Sequence, residues 1–256
     1  MKIIFRGKSI LILLCYGLLS LMFHLPAVYA EELTPRQAPA KNIKGFWEVN
    51  LYTQTTVRTV VEEINPGVDF EGDAESTRVM AKLATKPFRP VEFYLQAGMA
   101  NLTIDEFNEY RGDFEFAYGG GISLTLYEYP GPDRFQVIAR ADTVNFETTD
   151  HVLTVIQSQP VLVKETILWR EYTLEGIGIW RSGYWEPFVG GRFSWLDSRD
   201  TIEHPAIGRL SLKEDSNLGL VAGTNIYFDQ RENFALNAEV TLIDQASIKI
   251  GIKLWY

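Results

Sequence analysis

From Ile248 to the C-terminus the chain alternates without a break. Ile248, Ile250, Ile252, Leu254 and Tyr256 fall on one side; Lys249, Gly251, Lys253 and Trp255 fall on the other. A period of two is the signature of a β-strand, whose successive side chains point to opposite faces. This strand is apolar on one face, cationic on the other, and ends on an aromatic residue. Alternation alone does not say which face meets solvent. It is what the last strand of a barrel needs if lipid lies outside and a polar lumen inside.

The N-terminus favours that arrangement. Residues 1–30 have the parts of an export signal: Lys2, Arg6 and Lys8, then an apolar run from Ile10 to Leu25, then Val28-Tyr29-Ala30. Cleavage is expected after Ala30. The single cysteine, Cys15, lies inside this segment behind Leu13-Leu14, which does not suit a lipoprotein signal. The mature chain would then have no thiol chemistry. Residues 1–30 hold three of the 24 basic residues and none of the 33 acidic ones, so the remainder carries 21 basic against 33 acidic residues, a formal charge of −12. That balance argues against nucleic acid as a partner. Beyond Ala30 no apolar run is long enough for a spanning helix. Membrane character must therefore reside in alternation, as in a β-barrel.

Residues 31–44, with Pro35 and Pro39, read as an extended periplasmic leader, followed by one barrel domain over 45–256. The expected fold is all-β: an up-and-down antiparallel transmembrane barrel of about ten strands. They are expected near 46–60, 75–85, 91–101, 113–127, 134–143, 165–180, 184–196, 216–228, 233–243 and 246–256. Connections alternate in length. Tight ones follow the second, fourth, sixth and eighth strands; longer ones span Glu62 to Ala74, Leu102 to Gly112, Val144 to Lys164 and Asp197 to Asp215. Short periplasmic turns and long outer loops have this order. The ninth connection, at Asp244-Gln245, is short and breaks it.

Within strands the parity is consistent. Trp47, Val49 and Leu51 oppose Glu48, Asn50 and Tyr52; Phe93, Leu95, Ala97 and Met99 oppose Glu92, Tyr94 and Gln96. Aromatics recur beside the tight turns: Phe46, Trp47, Phe88, Tyr127, Tyr129, Trp180, Tyr184, Trp185, Tyr227, Phe228, Trp255 and Tyr256. Such rings suit a headgroup-level girdle. In the sixth strand Ile177 and Ile179 continue the parity of Glu171, Thr173 and Glu175, so a bulge at Gly176 or Gly178, or a broken strand, is expected there. The parity sends Glu48, Glu92, Glu115, Asp142, Glu171, Glu175, Glu186 and Glu239 inward, with Arg78, Lys82, Arg140, Arg192, Lys249 and Lys253. Mixed charges in a narrow lumen should pair. A salt-bridged plug is the main expectation and a narrow small-solute channel the alternative.

A surface hydrolase, acting on protein or lipid A, is the other alternative. Asp150-His151 lies in the third long connection, and Asp197, Asp200, Glu203 and His204 lie in the fourth; a carboxylate–imidazole couple can activate water. Neither histidine has a supporting motif, so the chain is read as non-enzymatic. No cluster has metal-ligand spacing, and no cofactor motif is present.

The export signal, the alternating strands and the terminal aromatic together resemble the small outer-membrane β-barrels of OmpA and OmpX type. In such proteins the last strand resembles polar-x-Gly-x-x-apolar-x-aromatic, a pattern met by Lys249, Gly251, Leu254 and Tyr256. The resemblance implies that these four form the signal read by the barrel-assembly machinery, with periplasmic chaperones and outer-membrane lipid as further partners. The expected role is structural or in surface interaction.

Overall fold

A computed structural model describes residues 47–65, 68–105, 110–129, 134–156, 159–203, 208–214, 216–228 and 233–256. Twelve strands form among them: β1 (Trp47–Asn65), β2 (Val68–Phe88), β3 (Val91–Asp105), β4 (Tyr110–Tyr129), β5 (Arg134–Ile156), β6 (Gln159–Arg181), β7 (Trp185–Leu196), β8 (Ser198–Ile202), β9 (Gly208–Glu214), β10 (Leu218–Tyr227), β11 (Phe234–Leu242) and β12 (Ala246–Trp255). All neighbours are antiparallel. The expected cleavage site Ala30, the leader and His204 lie outside the described residues.

The sheet closes on β1 twice, at two levels. In the lower half β12 pairs with β1 from Glu48↔Trp255 to Val57↔Ala246. There the ring holds ten strands: β1 to β7, then β10, β11 and β12. Higher up, β9 takes over the same edge of β1, from Val60↔Glu214 to Glu63↔Ser211. β7 and β8 are successive parts of one wall against β6, and β9 and β10 of the next, so the ten expected strands are all present. The β11–β12 hairpin simply stops short. The irregular ninth connection is the place where the wall steps in.

Along the strands the two faces exchange character at that step. Below it the outer face is apolar: Leu95 is 72% exposed, and Leu51, Val79, Leu83, Phe93, Met99, Leu174, Val189 and Phe193 are also exposed. The inner face there is polar, with Asn50, Gln96, Glu171, Thr173, Glu175, Arg192, Asn237 and Glu239 buried. Above the step the outer face carries Glu71, Glu75, Asp105, Arg111, Glu147, Lys164 and Arg199. The inner face becomes an apolar core of Val60, Ala74, Ala100, Leu102, Tyr110, Phe146, Ile167, Trp169 and Leu212. The lower half is built for lipid outside, and the upper half for water outside.

The four long connections were expected to be loops. In the first three the described parts are instead strand, because β1 to β6 run on past the step, and in the fourth the chain forms β8 and β9. β6 is unbroken: its register with β5 has no shift from Arg134↔Arg181 to Ile156↔Gln159. Ile177 and Ile179 face inward and pack with Phe188 and Val221. Glu115, expected inside, is exposed; the β3–β4 register shifts beside it. Of the expected girdle, Phe88, Tyr127, Tyr129, Trp180, Phe228 and Tyr256 are exposed at the lower rim. Tyr227 is buried, with the Arg181 guanidinium 4.1 Å from its ring, and Trp255 stacks on it while donating its Nε1–H to Glu48 at 2.9 Å.

Candidate functional site

The lumen holds the chain's densest chemistry, in three layers. Nearest the lower mouth, Lys82 and Lys86 reach Glu92 at 3.6 and 3.0 Å, and the Lys82 ammonium sits 3.8 Å from the Tyr94 ring centre. Further in, Lys249 pairs with Glu239 at 2.5 Å, and Arg140 with Glu175 at 3.0 Å. An internal space of about 100 Å³ lies among these groups, lined also by Asn50, Tyr52, Asp142 and Lys253. That is room for a few waters.

The middle layer is a charge cluster with little access to solvent. Glu171 of β6 takes Arg78 of β2 on one oxygen at 2.6 Å and Arg192 of β7 on the other at 2.7 Å. Arg58 of β1 approaches the second oxygen at 3.7 Å. The Arg58 guanidinium also donates to Ser194 Oγ at 2.6 Å and to Gln245 Oε1 at 2.8 Å. Asp244 Oδ2 accepts from Ser194 Oγ at 2.7 Å and lies 3.5 Å from both Arg58 and Arg192. Three arginines thus meet two carboxylates, all almost wholly enclosed. Charges in such a place persist only when paired, and the fan of donors around Glu171 does that pairing.

Asp244 and Gln245 form the tip of the short β11–β12 hairpin, and the tip turns inward at the step. Ile243 adopts φ 89° so that the chain can make this turn. Gly219 leaves the space: a Cβ there would lie 2.1 Å from Asp244 Oδ1. The parity of the sequence sends Arg78, Glu171 and Arg192 inward. It does not mark Arg58, Ser194, Asp244 or Gln245. Asp244 and Gln245 sat in a turn, where polar residues look unremarkable.

The third layer is the apolar core above. Phe146 stacks on Trp169 with centroids 6.0 Å apart, and the Arg78 guanidinium lies 5.4 Å from the Phe146 ring. Tyr110 comes over this core, sharing a 2.7 Å hydrogen bond with Thr148.

The candidate hydrolytic residues that are described lie on β5, on β8 and in the turns beside β8, with Glu203 taking Lys164 at 2.9 Å. Asp150 accepts from the backbone N–H groups of Arg111 and His151, both at 2.6 Å. His151 is exposed on the outer part of β5, whereas Asp200 is buried in the upper core and Asp197 lies against Arg170 at 3.7 Å. Among the described residues no group of three His, Cys, Asp or Glu is placed to hold a metal ion. In the terminal strand Lys249 and Gly251 face the lumen, while Tyr256 is exposed at the lower rim.

No protein family and no curated protein matches this chain. Among solved structures, the translocator domain of the autotransporter NalP from Neisseria meningitidis is similar at 12% identity, over 91% of this chain and 96% of its own, with a TM-score of 0.48. The outer-membrane protease OmpT from Escherichia coli is similar at 13% identity, over 82% and 97%, with a TM-score of 0.48. The transport unit of the autotransporter AIDA-I from Escherichia coli is similar at 11%, over 93% and 98%, with a TM-score of 0.43. These likenesses do not single out the OmpA and OmpX type. The closed antiparallel ring, its apolar outer belt and its rim of aromatics make the chain an outer-membrane β-barrel.

Proposed function

We infer that the protein is a non-conducting, non-enzymatic barrel whose membrane half anchors a water-exposed β-extension at the cell surface, where the extension is the interacting part. The observation that carries this reading is the pair of stacked seals in the lumen. The Arg58–Glu171–Arg192–Asp244 cluster closes the polar half, and the Phe146–Trp169 core fills the space above it. A channel needs a continuous wet path, and an apolar core at the upper level opposes one. Loops on rigid scaffolds commonly carry binding, and here the scaffold itself is carried above the membrane plane.

Single-channel recording of the folded protein in planar bilayers tests the reading. Silence at potentials up to the rupture of the film is expected from the wild type. Ohmic current steps would favour the small-solute channel.

A further inference from the structure

On the outer wall two neighbouring rows of residues cross five strands. One row runs Ile122, Ala141, Leu174, Phe193, Leu218, and the next Leu124, Ala139, Gly176, Gly191, Leu220. The second row dips at its centre, where Ala139, Gly176 and Gly191 present almost no side chain. A Cβ added at Gly176 or Gly191 would meet nothing within 4 Å. The result is an apolar trough of about 600 Å³, walled by Leu174, Phe193 and Leu218. It lies in the lipid-facing belt.

What stands over the trough is not neutral. One step up, Tyr172 and Trp195 stack with centroids 5.2 Å apart, and Phe193 leans on Trp195 at 5.9 Å. Directly above that pair the outer face turns cationic. Arg170 lies beside Asp197, and Arg199 and Lys213 are exposed on the adjoining β8 and β9. Arg170 is four residues beyond Leu174 on the same strand, roughly 13 Å at strand spacing. Arg170, Arg199 and Lys213 thus bring three cations onto one face of an acidic chain. Glu147 of β5 borders this group, in the row of Leu168 and Arg199, and the other exposed or half-exposed carboxylates Glu71, Asp73, Glu75 and Asp105 lie away from it on β2 and β3.

We propose that this face is a specific site for an anionic lipid. One acyl chain lies in the trough over Gly176 and Gly191, the stacked Tyr172–Trp195 pair stands at the glycerol or sugar level, and the headgroup phosphate meets Arg170, Arg199 and Lys213. Aromatic rings are at home at that depth, and guanidinium and ammonium groups are good phosphate partners. The trough gives one acyl chain a recess that a smooth barrel wall lacks. The asymmetry of charge sets which side of the barrel the lipid occupies. The site does not depend on whether the lumen conducts.

Native mass spectrometry of the folded protein in detergent tests it, with dimyristoylphosphatidylglycerol and dimyristoylphosphatidylcholine as probes. The wild type should retain the anionic lipid over the zwitterionic one by roughly tenfold or more. Arg199→Gln with Lys213→Gln should bring the two lipids level. Gly176→Leu with Gly191→Leu should fill the trough and lose retention of both; either single change serves if the pair fails to fold, as read by heat-modified mobility. Lys86→Gln at the lower mouth should leave retention unchanged. Equal retention of the two lipids by the wild type overturns the proposal, as does retention that survives either pair of changes.

Discussion

Arg58 and Asp244 stand 3.5 Å apart inside the barrel, one from the first strand and the other from the tip of the last hairpin. Residues 186 positions apart in the chain thus meet at the seam where the barrel closes. The contact sits where β1 passes from β12 to β9, so it marks the level at which ten strands become eight. Ser194 and Gln245 complete it.

Breaking this cluster on one side should be costly. Glu171→Gln leaves Arg58, Arg78 and Arg192 facing a neutral amide in a closed space. Removing one partner of a buried ion pair costs about 3–5 kcal/mol. Urea titration of the folded barrel in lipid vesicles measures the loss. Glu171→Gln combined with Arg192→Met should cost less than the sum of the two single changes, since each then removes a charge the other would have left unpaired.

The exchange of faces along β3 makes a three-part expectation. Leu95→Arg places a cation on the lipid face and should cost about 2–4 kcal/mol. Thr103→Arg, on the same face but above the step, should cost under about 0.5 kcal/mol, as an ordinary surface change. Leu102→Ala, pointing into the upper core, should cost about 2–5 kcal/mol. Folding titrations into vesicles rank all three; a Thr103→Arg penalty equal to that of Leu95→Arg would place Thr103 in lipid.

These faces show where the sequence was legible. Period two gave the ten walls of the lower barrel and the side that meets lipid. It failed above the step for a physical reason. On β3 the apolar parity passes from Met99, outside, to Ala100 and Leu102, inside, while the strand continues. A pattern whose phase inverts reads as the end of a strand, so the upper parts of β1 to β6 looked like loops. Ile177 and Ile179 misled in the opposite sense: apolar residues on the inner face of a membrane strand suggested a bulge, yet they pack on Phe188 and Val221. The charge cluster was half legible, because Glu171 and Arg192 follow from parity, whereas Asp244 depends on a tip that folds inward.

Gly251 gives a separate test of the terminal strand. A Cβ at this position would lie 2.7 Å from Tyr52 Cβ and 2.8 Å from Asn50 Oδ1, with Leu51 O equally close. Gly251→Leu should therefore stop β12 from closing on β1. Deletion of Tyr256 removes an exposed aromatic from the lower rim and, by resemblance, part of the assembly signal. Both variants should be exported but fail to reach the surface, as read by membrane fractionation and surface labelling. Wild-type surface labelling of both would refute the role given to this strand.

The exchange of faces puts the upper edge of the membrane partway up these strands. A fluorophore on single cysteines along the outer face of β3, with Cys15 replaced, tests it most directly. In vesicles of brominated lipid, labels at Leu95, Ala97 and Met99 should be strongly quenched. Labels at Thr103 and Asp105 should escape the lipid quencher and respond to iodide in the water. Lipid quenching that continues undiminished to Asp105 would contradict the account.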